Sequence, residues 1–105
     1  MSAPRQTDHD LDHLIWEITA DAHDEDEQLM GFEAAFDEAS LPRTGMVIGE
    51  EIQVLSISRA DNRHELIATI QRNGTQHDIA LLDVDLNADP DTSRLIAAYR
   101  RWAAA

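Results

Sequence analysis

His64-Glu65-Leu66-Ile67-Ala68-Thr69-Ile70-Gln71-Arg72-Asn73-Gly74-Thr75-Gln76-His77-Asp78-Ile79-Ala80-Leu81-Leu82 is the stretch that decides the fold of this 105-residue chain. His64 to Gln71 and Thr75 to Leu82 each have the period of two that places alternate residues on opposite faces of a strand. Asn73-Gly74 between them is a hairpin signature. A two-residue turn of the favoured type needs φ > 0 at both central positions, which Asn tolerates and Gly adopts freely. Upstream, Met46-Val47-Ile48 and Glu51-Ile52-Gln53-Val54-Leu55-Ser56-Ile57 continue the same period, and Asp61-Asn62 supplies a looser turn. Successive strands with short connections predict an antiparallel sheet.

On either side of this block the period changes. Asp24 to Ser40 predicts a helix, with Leu29, Phe32 and Phe36 on one face at i, i+3 and i+7, and Met30 and Ala35 flanking them. Asp24 and Glu27 have the spacing of a capping box, and Ser40-Leu41-Pro42 ends the segment. A second helix begins with Asp89 as N-cap and Pro90 in first position, carrying the stripe Leu95, Tyr99 and Trp102 with Ile96 beside it. Leu14, Trp16, Ile18 and Ala20 alternate with more polar neighbours and predict a further strand; the end of a short helix begun near Asp8 is the other reading. Trp16, Phe32, Phe36, Tyr99 and Trp102 are expected in the core. Residues 1–12 are expected to fray and 13–105 to form one domain. The fold class is α+β, a small curled antiparallel sheet of four or five strands with two helices. An SH3-like partial barrel is one topology that fits.

Charge narrows the function classes. The chain has 21 Asp and Glu against 8 basic residues, for a formal −13, and every basic residue is Arg. Residues 8–38 contain 12 of the acids and no Lys or Arg. Such a surface does not neutralise phosphates, which argues against nucleic acid and anionic membranes as partners; cations and basic proteins are the complementary ones. Without cysteine there is neither a disulfide framework nor a thiolate site. Met1 to Asp8 lacks the apolar run of a signal peptide, and no stretch approaches the ~18 apolar residues of a membrane span. The expectation is a soluble, cytoplasmic protein, and the Arg-only basic set points to a bacterial one.

Asp21-Ala22-His23-Asp24-Glu25-Asp26-Glu27 is the candidate that chemistry singles out. Six of its seven residues can ligate a metal, and five of those are carboxylates. Carboxylates about 6 Å apart repel by about 0.7 kcal/mol in water and about 3 kcal/mol at an effective dielectric of about 20, so a hard divalent cation relieves the site. Oxygen ligands in flexible geometry favour Ca²⁺ over Mg²⁺. A solvated acidic cap on a helix start is the plainer account of the same residues. Asp83 to Arg94 imitates an EF-hand loop, yet Ala88 replaces the turn glycine and Arg94 the twelfth-position Glu. Asp89 and Asp91 are therefore read as cap and first-turn acids. Asp83 and Asp85, and Glu50-Glu51 after Gly49, are subsidiary ligand candidates. His9 and His13 have the i, i+4 spacing of a zinc pair with no second pair nearby. No phosphate loop, nucleophile elbow or defined acid–base pair is present, so no enzyme is expected.

Trp16-Glu17-Ile18, Asp21 to Gln28, Gly31-Phe32, Gly49 to Leu55, Arg72-Asn73-Gly74, Leu81 to Asp85 and Ala98 to Trp102, in that order, resemble the small bacterial calcium-binding protein family typified by the cyanobacterial protein CcbP. The resemblance spans roughly residues 14 to 102. It implies a non-EF-hand Ca²⁺ buffer or sensor with ligands at Asp21, Asp24, Glu25, Asp26 and Glu27, together with Glu50, Glu51, Asp83 and Asp85. The competing expectation is an acidic interaction module that docks a basic partner or mimics nucleic-acid charge.

Overall fold

Asn73 and Gly74 take φ of 52° and 79°, and the strands they join pair in register from Arg72↔Thr75 to Ile67↔Ala80. This computed structural model describes residues 8–39, 44–60 and 65–104. Its strands are β1 (Thr44–Val47), β2 (Glu50–Arg59), β3 (Leu66–Arg72), β4 (Thr75–Ala80) and β5 (Asp85–Leu86). Its helices are α1 (Asp8–Thr19), α2 (Glu25–Glu38) and α3 (Pro90–Ala104), and a 3₁₀ turn at Leu81–Asp83 leads into β5. The strands form one sheet in the order β4-β3-β2-β1-β5, every pair antiparallel. The class is α+β, as the sequence predicts. Ser40-Leu41-Pro42, Asp61-Asn62 and His64, on which the sequence placed a helix end, a turn and a strand start, lie outside the described residues.

β4 and β5 occupy opposite edges, and among the described residues no pairing between them closes the sheet into a barrel. The irregularity lies in β2. Its register passes from Val54↔Ile70 to Ser56↔Thr69 and leaves Leu55 without a partner. One extra residue shifts the phase of alternation, so Ile52 and Val54 before it and Ile57 after it all face inward. Ile52, Ile57, Leu66, Ala68 and Ile70 then form one buried cluster with Leu29, Phe32 and Phe36 of α2 and Leu95, Ala98 and Tyr99 of α3. Burying a side chain the size of Phe32 or Phe36 is worth about 1.5–3 kcal/mol.

Two expectations need correction. The described residues contain three helices and not two, because Leu14 to Thr19, within the stretch predicted as a strand, is the second half of α1. What α1 turns to the core is Leu11, Leu14, Ile15 and Ile18, spaced three and four apart. The alternation that suggested a strand includes Trp16 and Ala20, both exposed, so Trp16 is not a core residue. α1 also starts at Asp8, inside the segment expected to fray. Leu11 is buried, and Asp12 binds the Arg101 guanidinium of α3 through both oxygens, at 2.7 and 3.2 Å.

Close packing of α1 on α2 depends on Gly31, where a Cβ would lie 2.7 Å from the Ile18 carbonyl oxygen. Side-chain bonds tie the layers together. The Leu66 N–H donates to the Tyr99 hydroxyl at 2.8 Å, the Trp102 indole N–H donates to Gln28 at 2.8 Å, and the Arg59 N–H donates to Glu33 at 2.7 Å.

Candidate functional site

α1 ends where the Thr19 hydroxyl donates to the Ile15 carbonyl at 2.7 Å and the Ala22 N–H closes a turn on the Thr19 carbonyl at 3.0 Å. Six residues after Thr19, at Glu25, α2 begins, so the whole acidic block falls on one connection and the first turn that follows it. Asp24 is the N-cap, with extended backbone and its Oδ1 accepting from the Glu27 N–H at 2.9 Å. Glu27 reaches back, and its Oε2 accepts from the His23 N–H at 2.8 Å. This is the reciprocal arrangement predicted from the Asp24/Glu27 spacing, displaced by one residue, because Glu27 takes the N–H before the cap and not the cap's own. Glu25, Asp26 and Glu27 occupy the first turn, where their charge complements the helix dipole.

Asp21, Asp24, Glu25, Asp26 and Glu27 are all exposed. Capping uses one oxygen each of Asp24 and Glu27, which leaves Asp24 Oδ2 and Glu27 Oε1 for other partners. Directly behind the block, Gln28 is anchored by Trp102, so this end of α2 is fastened to the aromatic cluster in which Trp102 packs at 5.2 Å from Phe32 and 6.0 Å from Tyr99.

The subsidiary candidates lie on the sheet. Glu50 forms an ion pair with Arg72 across β2 and β3. Glu51 and Asp85 both stand opposite Met46, on the two strands that flank β1. Side chains directly opposite one another share a face, and two strand spacings put the Glu51 and Asp85 backbones about 10 Å apart with Met46 between them. Among the described residues no third His, Asp or Glu joins this pair in a group that could hold a metal ion. Asp83 is exposed at the end of the 3₁₀ turn, separated from Asp85 by buried Val84.

Among the described residues no group of three or more His, Asp or Glu is gathered to hold a metal ion. The nine carboxylates singled out by sequence are thus not brought together into one centre. The donor chemistry of Asp21–Glu27 suits a hard cation, whereas its geometry is that of a capped helix start.

His13, on α1, meets Glu17 at 2.9 Å and stacks on Trp16 at 6.3 Å. Asp89 is the α3 cap, as expected. It accepts from the Thr92 N–H at 2.7 Å, and that bond is the main reason its carboxyl lies below the usual range. Asp12 is likewise lowered, chiefly by its bond to Arg101.

Two features were not foreseen. One is Trp16 on the surface, which a 3.6-residue reading of residues 8–19 would have placed opposite Leu11. The other is a second tight hairpin turn, Ile48-Gly49, with φ of 51° and 77°, masked because Ile is an unusual occupant of that conformation. Compared with protein-family models, curated proteins and solved structures, the chain matches none, so its functional reading rests on the residues themselves.

Proposed function

We propose that this protein is a Ca²⁺-binding protein without EF-hands that takes its ion at Asp21–Glu27, as a buffer in a bacterial cytoplasm. The observation that carries this reading is the concentration of five exposed carboxylates on one helix–helix connection and the first turn after it, two of which keep an oxygen not used in capping. Backbone carbonyls and water would complete the shell. Because no three ligands are gathered beforehand, the ion has to order them itself, which costs affinity.

The test is a calorimetric Ca²⁺ titration of chelator-treated protein in physiological potassium and millimolar Mg²⁺, with Trp102 fluorescence followed in parallel in a Trp16→Phe background, where Trp102 is the sole tryptophan. Trp102 is a fitting reporter because its indole N–H is held by Gln28, the residue after the block. Saturable heat, lost in the Asp24→Asn/Asp26→Asn double variant, supports the reading. Asn still caps a helix, so that variant removes charge and not the cap. Non-saturating heat that added salt abolishes would refute it.

The absence of a gathered ligand set among the described residues favours one other account, an acidic interaction surface for a basic protein partner. Diffuse charge tolerates the loss of two carboxylates among many. Binding of a basic peptide should therefore weaken only gradually in the same double variant, whereas a calcium site should vanish.

A further inference from the structure

The turn of the β3–β4 hairpin carries a reactive pair. Asn73 and Gly74, both exposed, hold its two central positions with φ of 52° and 79°, inside the ladder pair Arg72↔Thr75. Positive φ at both positions is a type I′ turn. Asn-Gly occurs nowhere else in the chain, since Asn62 precedes Arg63 and Asn87 precedes Ala88. A Cβ built on Gly74 would meet nothing within 4 Å, so the central peptide of the turn has open space beside it. Among the described residues the Gly74 N–H makes no backbone hydrogen bond.

Attack of the Gly74 nitrogen on the Asn73 side-chain carbonyl closes a five-membered ring through Cα and Cβ. In such a ring the nitrogen eclipses Cβ, and tetrahedral geometry at an L residue then sets ψ to about −120°. A type I′ turn holds ψ of its first central residue near about +30°, out of reach of that closure. The related type II′ turn does reach it, with φ about +60° and ψ about −120° at the first position and φ about −80° at the second. Asn73 already has the φ that both turns share, and Gly74 takes either sign of φ at no steric cost. The two turns differ by rotation of the Asn73–Gly74 peptide plane alone, and both match the twist of the flanking strands. Type II′ prefers glycine at its first position, so the flipped form is minor and the chemistry slow, yet the β3–β4 ladder need not open.

We propose that Asn73 is a site of spontaneous covalent modification, converted through a cyclic imide to aspartate and isoaspartate by a type I′ to II′ flip within the folded protein. The Gly74 nitrogen gives up its proton and bonds to Asn73 Cγ, and the side-chain nitrogen leaves as ammonia. Water then opens the ring at either carbonyl. Opening at Cγ gives aspartate. Opening at the backbone carbonyl gives isoaspartate, whose main chain runs through Cβ and is one carbon longer. Water enters, ammonia leaves, and nothing is oxidised or reduced. Aspartate keeps the turn, because Asp-Gly suits type I′ as Asn-Gly does. Isoaspartate does not, because the longer main chain no longer spans Arg72 to Thr75 as a two-residue turn. Either product adds negative charge to a chain already at −13.

Peptide mapping of the folded protein, incubated at physiological temperature and mildly alkaline pH, tests the proposal. Cleavage after Arg72 and Arg94 releases residues 73–94, which contain both Asn73 and Asn87, so one fragment carries the site and its reference. Tyr99→Phe removes the acceptor of the Leu66 N–H at the far end of β3 from the turn, and multiplies the small unfolded fraction roughly 5–30-fold. The expected result is progressive loss of the Asn73 amide to both products with Asn87 intact, at the same rate in wild type and Tyr99→Phe. Circular dichroism verifies that both proteins are folded. An Asn73 amide that survives in the folded protein while urea-unfolded protein loses it overturns the proposal, because the turn then locks the residue. So does a rate that rises with the unfolded fraction in Tyr99→Phe, which would route the reaction through an opened hairpin, or loss at Asn87 as fast as at Asn73.

Discussion

Removing one buried hydroxyl, with Tyr99→Phe, measures how firmly α3 is bonded to the sheet. Tyr99 is 1% exposed and Leu66 is fully buried, and the Leu66 N–H donates to the Tyr99 oxygen at 2.8 Å. Phe keeps the ring and its edge contacts with Phe32 and Phe36, at 5.5 and 6.3 Å, so no cavity forms. What is lost is the acceptor, and a buried N–H without one costs about 1–3 kcal/mol. With an unfolding entropy of about 2.1 cal/mol/K per residue, a chain of this length has about 220 cal/mol/K. A central loss of about 2 kcal/mol then lowers Tm by about 9 °C. Urea unfolding at pH 7 supplies the free energy and calorimetry the Tm.

The same variant has a signature at alkaline pH. Burial pushes the Tyr99 phenol above its ordinary value, nearby Glu65 adds to the rise, and the Leu66 N–H pulls the other way. A phenol that keeps its proton longer when folded contributes stability fully present below about pH 10, which is lost as pH rises through the folded pKa. Phe has no such proton, so the gap between wild type and variant should narrow above about pH 10. Tyr99 is the only tyrosine, and its ultraviolet titration reports on this group alone. A Tm unchanged within about 2 °C, or a gap that widens with alkali, would refute the reasoning.

Three further outcomes are expected. Ile48, at φ 51° and 98% exposed, strains a turn without packing against anything; Ile48→Asn should stabilise the protein by about 1 kcal/mol in urea titrations. Gly31→Ala should destabilise it by more than about 1 kcal/mol, even though Ala is ordinarily the better helix former. The added Cβ would meet the Ile18 carbonyl at 2.7 Å and force α1 away from α2. Asp89→Asn should keep the α3 cap and flatten the acid limb of the stability curve. The depressed carboxyl of Asp89, held low by the Thr92 N–H, contributes stability above about pH 4 that is lost as pH falls through its folded value. Melting curves between pH 2 and 7, the span of a carboxylate's titration, read that difference.

Local chemistry was enough to fix the hairpin at Asn73-Gly74, the caps at Asp24 and Asp89, and the buried stripes Leu29-Phe32-Phe36 and Leu95-Tyr99. Each depends on residues within a few positions of one another, where backbone preference and side-chain spacing act directly. Residues 14–20 were ambiguous because their apolar positions satisfy a period of two as well as one of 3.6. Packing against α3 and Gly31 decided for the helix and turned Trp16 outward. The open sheet, the phase shift at Leu55 and the tie from Leu66 to Tyr99 belong to tertiary structure alone, since each depends on which distant strand or helix lies opposite.

The acidic block divides in the same way. By itself the sequence determined its charge, its oxygen donors and its position at the start of a helix. Whether those carboxylates meet Glu50, Glu51, Asp83 and Asp85 was a question only the fold could answer. It pairs Glu50 with Arg72 and spaces Glu51 from Asp85 across an intervening strand, because sheet register fixes the separation of side chains whatever charge they carry.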